Sequence, residues 1–66
     1  MKADKEKVKL AMARACISLN DLTIASEMPR STVNNVIYGR NVRPDTIGRI
    51  AKALGVDVTE IIEQEG

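Results

Sequence analysis

The sequence predicts an all-α domain of five short helices. Three observations carry that expectation. Apolar residues recur at helical spacing in four separate segments. Each segment has a start signal, Ser or Asp before it or Pro at its first turn, and the third and fourth are followed by Gly. The chain has no Trp, no Phe and one Tyr, so the β-branched and aromatic runs of a sheet are missing and the core must be aliphatic.

The first helix is expected from about Asp4 to Ala15. Val8, Ala11, Met12 and Ala15 follow the i, i+3, i+4, i+7 pattern of a buried stripe, and Asp4 is a plausible N-cap. Its lysines read as a solvated face, with an arm touching phosphates as the alternative. Cys16 closes the helix and reads as a small buried apolar residue, since no His exists to activate it as a nucleophile.

The second helix, Leu19 to Ser26, has two independent start signals. Ser18 at N-cap and Asp21 at N3 form an acidic capping box, and Ile17 with Leu22 forms a hydrophobic staple. Leu22 and Ala25 or Ser26 face inward. Glu27-Met28 is the turn. Pro29 then stands at or just before the first turn of the third helix, where its missing N–H costs nothing. That helix runs to about Tyr38, with Met28, Val33, Val36 and Ile37 apolar and Arg30, Ser31, Asn34, Asn35 and Tyr38 on the other side. Gly39 ends it as a left-handed cap.

The fourth helix starts at Pro44 and ends at Leu54, with Ile47, Ile50, Ala51 and Leu54 inward and Gly55 as its cap. Gly48 inside it costs about 1 kcal/mol, which a close approach by another backbone would explain. Asp57 with Glu60 at N3 opens a fifth helix, stapled by Val56 and Ile61 and ending near Gln64.

The length of 66 residues suits one small domain, expected as residues 1–66 with a core over 4–64. One Cys excludes an intrachain disulfide and a Cys-based zinc site, and a cytoplasmic home is expected. No apolar run approaches the roughly 20 residues of a membrane span, and the N-terminus lacks a signal peptide's apolar centre. Net charge is +1, but it is unevenly spread. Residues 28–52 hold Arg30, Arg40, Arg43, Arg49 and Lys52 against Asp45, a net +4, and residues 53–66 carry −4. With no His, no paired inward carboxylates and no phosphate-cradling Gly loop, no enzymatic reading is supported, and no cofactor, metal or small-molecule ligand is expected.

Helices two and three, joined by a tight turn, form a helix-turn-helix pattern. The second helix of such a pair enters the major groove of double-stranded DNA while the first lies across the backbone. Arg pairs in bidentate fashion with guanine and Asn with adenine. Arg30 and Ser31 stand at the N-terminal end of the third helix, where base edges are met, and Arg40 and Arg43 are placed for phosphates. Two other readings stay open: a protein-interaction module that kept the fold but reads no DNA, and an antitoxin-like regulator that binds both.

The residues Ser18-Leu19-Asn20-Asp21-Leu22, Ser31-Thr32-Val33, Gly39-Arg40, Arg43-Pro44 and Ile50-Ala51-Lys52-Ala53-Leu54-Gly55-Val56-Asp57-Val58 carry a resemblance. In order and spacing they are similar to the lambda-repressor-like helix-turn-helix family of phage repressors, Cro proteins and Xre-type regulators, from Val8 to Ile62. The resemblance implies a compact five-helix DNA-binding domain that represses or activates transcription, usually as a homodimer on a palindromic operator in a prokaryote or phage. It implies base contacts by Arg30, Ser31 and Asn35, with Asn34, Thr32 and Tyr38 as flanking base or phosphate contacts. Leu19 stands where family members often place a polar phosphate contact, so that role passes to backbone or Asn20.

Three departures are visible. Glu27 takes the turn position that is usually Gly, where a positive φ costs roughly 1 kcal/mol. Thr23 replaces a small Ala. Met12 and Ile37 replace a buried Arg–Glu pair, so an apolar contact is expected there. For dimerisation, Val58, Ile61 and Ile62 cannot all enter one core. The spare residues Val58 and Ile62, with Asp45 and Thr46, are the expected two-fold contact, giving half-sites about 34–36 Å apart.

Overall fold

The computed structural model describes residues 1–63. Four helices follow in order: α1 (Lys5–Ala15), α2 (Leu19–Ser26), α3 (Arg30–Ile37) and α4 (Pro44–Leu54). The expected fifth helix is a single three-residue 3-10 turn, Val58–Glu60. Its expected end at Gln64 lies outside the described residues.

Local chemistry explains the starts. Asp4 accepts from the N–H groups of Glu6 and Lys7 and caps α1. Ser18 Oγ accepts from Asp21 N–H, and an Asp21 carboxylate oxygen accepts from Ser18 N–H, both at 3.2 Å, completing the box that opens α2. Pro44 occupies the first turn of α4.

The ends are left-handed. At Gly39 and Gly55, φ is +72° and +71°, and paired backbone bonds close each helix. After α3, Arg40 N–H donates to the Asn35 carbonyl at 2.9 Å and Gly39 N–H to Val36 at 3.1 Å, a Schellman motif. Cys16 does the same for α1 at φ 57°, with Ile17 N–H donating to Met12. Cys16 is therefore exposed, not the buried residue its apolar neighbours suggest. The left-handed turn points its side chain away from the stripe that Val8 and Ala11 bury.

The core is aliphatic. Val8, Ala11, Leu22, Val33, Val36, Ile47, Ile50, Ala51, Leu54 and Ile61 are buried, joined by Ala3. α4 packs against all three other helices and the 3-10 turn. Ala15, expected in the stripe of α1, is exposed, and of the α2 pair Ser26 rather than Ala25 is buried. Met12 and Ile37 are each half-buried against this core, and α1 packs on α3. No helix of the described residues is long and apolar enough to cross a membrane.

The fifth helix fails for a backbone reason. Asp57 and Glu60 do form the capping box. Hydrogen bonds from the Thr59 hydroxyl and N–H hold the Asp57 carboxyl below the usual range. Past Ile61, however, the chain pairs with the N-terminal segment. Asp4 N–H donates to the Ile61 carbonyl at 2.8 Å and Glu63 N–H to Lys2 at 3.0 Å, with an antiparallel bridge between Ala3 and Ile62. On its other side the same segment bridges Lys2 to Asn41, and Val42 N–H donates to the Met1 carbonyl at 2.8 Å. The backbone groups that a longer helix would satisfy are thus taken by this small ladder.

Gly48 is not explained by a close approach. A Cβ placed there meets no atom within 4 Å. Gly48→Ala is expected to stabilise the fold by about 1 kcal/mol through helix propensity, raising the melting temperature by about 4–8 °C. Thermal unfolding followed by circular dichroism checks this, and an unchanged or lowered melting temperature would show that the position carries a constraint outside the chain's own packing.

Candidate nucleic-acid interface

The left-handed residue between α2 and α3 sets their relation. Glu27 adopts φ 56°, ψ 37°, and its N–H donates to the Ile24 carbonyl at 3.2 Å. The turn keeps the conformation that glycine would supply and accepts the strain of a Cβ, of order 1 kcal/mol. Pro29, with φ −59° and ψ 148°, is the N-cap of α3, just before its first turn. No side chain caps α3, and Thr32 and Val33 N–H donate to the Pro29 carbonyl, so the first-turn amides open to an external acceptor are those of Arg30 and Ser31.

Thr23 keeps the helices close despite its size. It is half-buried, and its hydroxyl folds back to donate to the Leu19 carbonyl at 2.9 Å. Ser26 is buried and donates to the Thr23 carbonyl. Both hydroxyls are thus satisfied within α2.

With Val33 and Val36 buried, the opposite side of α3 is left to polar groups. Ser31, Asn35 and Tyr38 follow one another at i+4 and i+3, so they share a stripe. Arg30 and Asn34 form the adjacent one. Arg30, Ser31 and Tyr38 are exposed, while Asn34, Asn35 and Thr32 are half-buried. Eight residues make about 12 Å of helix, close to the width of the major groove.

Two side-chain contacts modify the expected roles. Arg30 Nη2 donates to Asn20 Oδ1 at 3.0 Å, linking α2 to α3 across ten residues of sequence. Asn20 thus directs its oxygen to Arg30 and keeps its amide N–H groups for other partners. Arg43 forms a two-pronged pair with Asp45, Nε and Nη2 each 3.3 Å from a carboxylate oxygen. Both are largely exposed, so the pair is weak and exchangeable. It joins an expected phosphate contact to an expected dimer contact. Arg40 is exposed and has no ion pair among the described residues.

Of the remaining dimer candidates, Thr46, Val58 and Ile62 are half-buried, and Ile61 takes the fully buried place between the last two. Sequence reasoning did not reach the Asn20–Arg30 bond, because helical periodicity says nothing about which side chains meet across a turn. Nor does spacing show that Lys2 and Lys5 meet the loop after α3, where the structure brings both. No local signal marks a pairing between residues so distant in sequence.

A capped helix, a tight left-handed turn and a second helix with a polar outer face define a helix-turn-helix DNA-binding domain. The chain belongs to the Cro/C1-type helix-turn-helix DNA-binding family, whose family model matches residues 7–65. Among solved structures it is similar to the restriction-modification controller protein C.AhdI from Aeromonas hydrophila. The two share 28% sequence identity and a TM-score of 0.73, over 85% of this chain and 86% of that one. No curated protein sequence matches the chain.

The Asn20–Arg30 bond makes these two residues a unit. In a double-mutant cycle on a selected DNA site, Asn20→Ala and Arg30→Ala are expected to be non-additive, with a coupling of about 0.5–3 kcal/mol. Titration of the four proteins against labelled DNA measures it, and strictly additive losses would show that the two residues act independently.

Proposed function

We propose that the protein is a sequence-specific transcriptional regulator, acting as a repressor by placing α3 in the major groove of an operator. The observation that carries this reading is the outer face of α3. It places Arg30 at the helix start, tethered by Asn20, with Ser31, Asn34 and Asn35 beside it on the exposed side. Arg30, Ser31, Asn34 and Asn35 are the proposed base contacts. Asn20, through its amide N–H groups, with Thr32, Tyr38, Arg40 and Arg43, would hold phosphates and set the register. The exposed Arg43–Asp45 pair can open for this, since a charge pair in solvent contributes at most about 1 kcal/mol.

The likeness to a restriction-modification controller protein supports a regulatory role over a purely structural one. Action as a homodimer on a palindrome is part of the proposal, with Asp45, Thr46, Val58 and Ile62 as the two-fold contact. So is a cytoplasmic place of action. A protein-interaction module is the competing reading, in which the polar face of α3 is only solvated surface.

Substitution at Arg30 and Arg40 separates base reading from phosphate binding. Arg30→Ala should cost about 1–3 kcal/mol on the selected operator and relax the preference at one base pair. Arg40→Ala should weaken binding to all sequences alike and lower the salt slope by about 1. Electrophoretic titration on matched and base-substituted operators reads both effects. If Arg30→Ala binds the operator as tightly and as selectively as the parent protein, base reading by Arg30 is wrong.

A further inference from the structure

We propose that Lys2 and Lys5 belong to the DNA-backbone surface and extend it from the α3–α4 loop onto the N-terminal segment. The inference rests on the DNA-binding reading above and goes beyond it, since it gives a phosphate-binding role to a part of the chain outside the helix-turn-helix.

Two contacts place these lysines. Lys2 is the antiparallel bridge partner of Asn41. Facing residues of such a bridge project their side chains to the same side, so Lys2 and Asn41 share the outer face of the ladder, and both are exposed. Asn41 lies in the loop between Arg40 and Arg43. Lys5, on the first turn of α1, lies against Gly39. A Cβ on Gly39 would stand 3.3 Å from Lys5 Cγ and 3.4 Å from the Ala3 carbonyl oxygen. The alkyl stem of Lys5 therefore covers the residue that ends α3, while its ammonium stays in solvent.

Four cations, Lys2, Lys5, Arg40 and Arg43, thus gather around one short loop. Among the described residues no carboxylate pairs with Lys2, Lys5 or Arg40, and the ion pairs there are Arg43–Asp45 and Arg14–Glu60. Of the acidic C-terminal part of the chain, Glu60 meets Arg14, on the last turn of α1, while Glu63 lies beside this loop, its N–H donating to the Lys2 carbonyl. A helix lying in the major groove brings the loop after its C-terminal end to the flanking phosphates. Cations gathered there meet a line of negative charge, and each phosphate neutralised releases about 0.9 of a counterion. Lys9, one turn further along α1, is exposed and is not among the atoms nearest Gly39, and it serves as the internal comparison.

The experiment measures binding to a selected operator and to a scrambled duplex across a salt series, for the parent protein, Lys2→Gln, Lys5→Gln, Lys5→Arg and Lys9→Gln. Glutamine keeps most of the stem over Gly39 and removes the charge, and thermal melts confirm that each variant folds. Lys2→Gln and Lys5→Gln should each lower the slope of log K against log[salt] by about 0.9 and weaken both duplexes by the same factor. Lys5→Arg should restore the parent slope, and Lys9→Gln should keep it. Parent slopes in both Lys2→Gln and Lys5→Gln, or an equal fall in Lys9→Gln, would overturn the proposal while leaving base reading by α3 intact. A parent protein that binds neither duplex would overturn the DNA-binding reading itself, and this inference with it.

Discussion

The apolar stripe of α4 is the constraint on which the molecule depends. Ile47, Ile50, Ala51 and Leu54 lie on one side of eleven residues and meet α1, α2, α3 and the 3-10 turn. Burial of each larger side chain contributes on the order of 1.5–3 kcal/mol, and a 66-residue chain has few other sources of stability. Because α4 occupies the inner side of both α2 and α3, their polar sides can only face outward. The candidate interface is therefore a consequence of where the aliphatic residues are covered.

On that base, two local features set how α3 is presented. Glu27 holds the left-handed turn between α2 and α3 despite its Cβ, so the turn is maintained by packing on both sides of it rather than by intrinsic preference. The Asn20–Arg30 bond then restricts a long, otherwise mobile side chain at the start of α3. Restricting such a side chain before binding reduces the entropy lost on association, which is how a small interface retains specificity.

Much of this was legible in the residues, where a signal was local. The Ser18–Asp21 box and the Pro44 to Gly55 interval give α2 and α4 with the boundaries expected of them. The buried face of α4 follows directly from its period. The fifth helix shows the limit of such signals: Asp57 and Glu60 mark a start, but nothing local tells the chain to leave after one turn and pair with Ala3 and Lys2. Cys16 shows another. A left-handed cap without glycine has no compositional mark, so its exposure was hidden behind an apolar neighbourhood. At the candidate site, the polar stripe of α3 was readable from spacing. The cross-helix bond of Arg30 and the approach of Lys5 to Gly39 were not, because both depend on how elements pack.

Selection of bound duplexes from a random DNA pool by the purified protein tests the central claim most directly. The account predicts an enriched motif of two inverted half-sites with centres about 34–36 Å apart, one turn of the double helix. A pool that enriches no motif over successive rounds would contradict it.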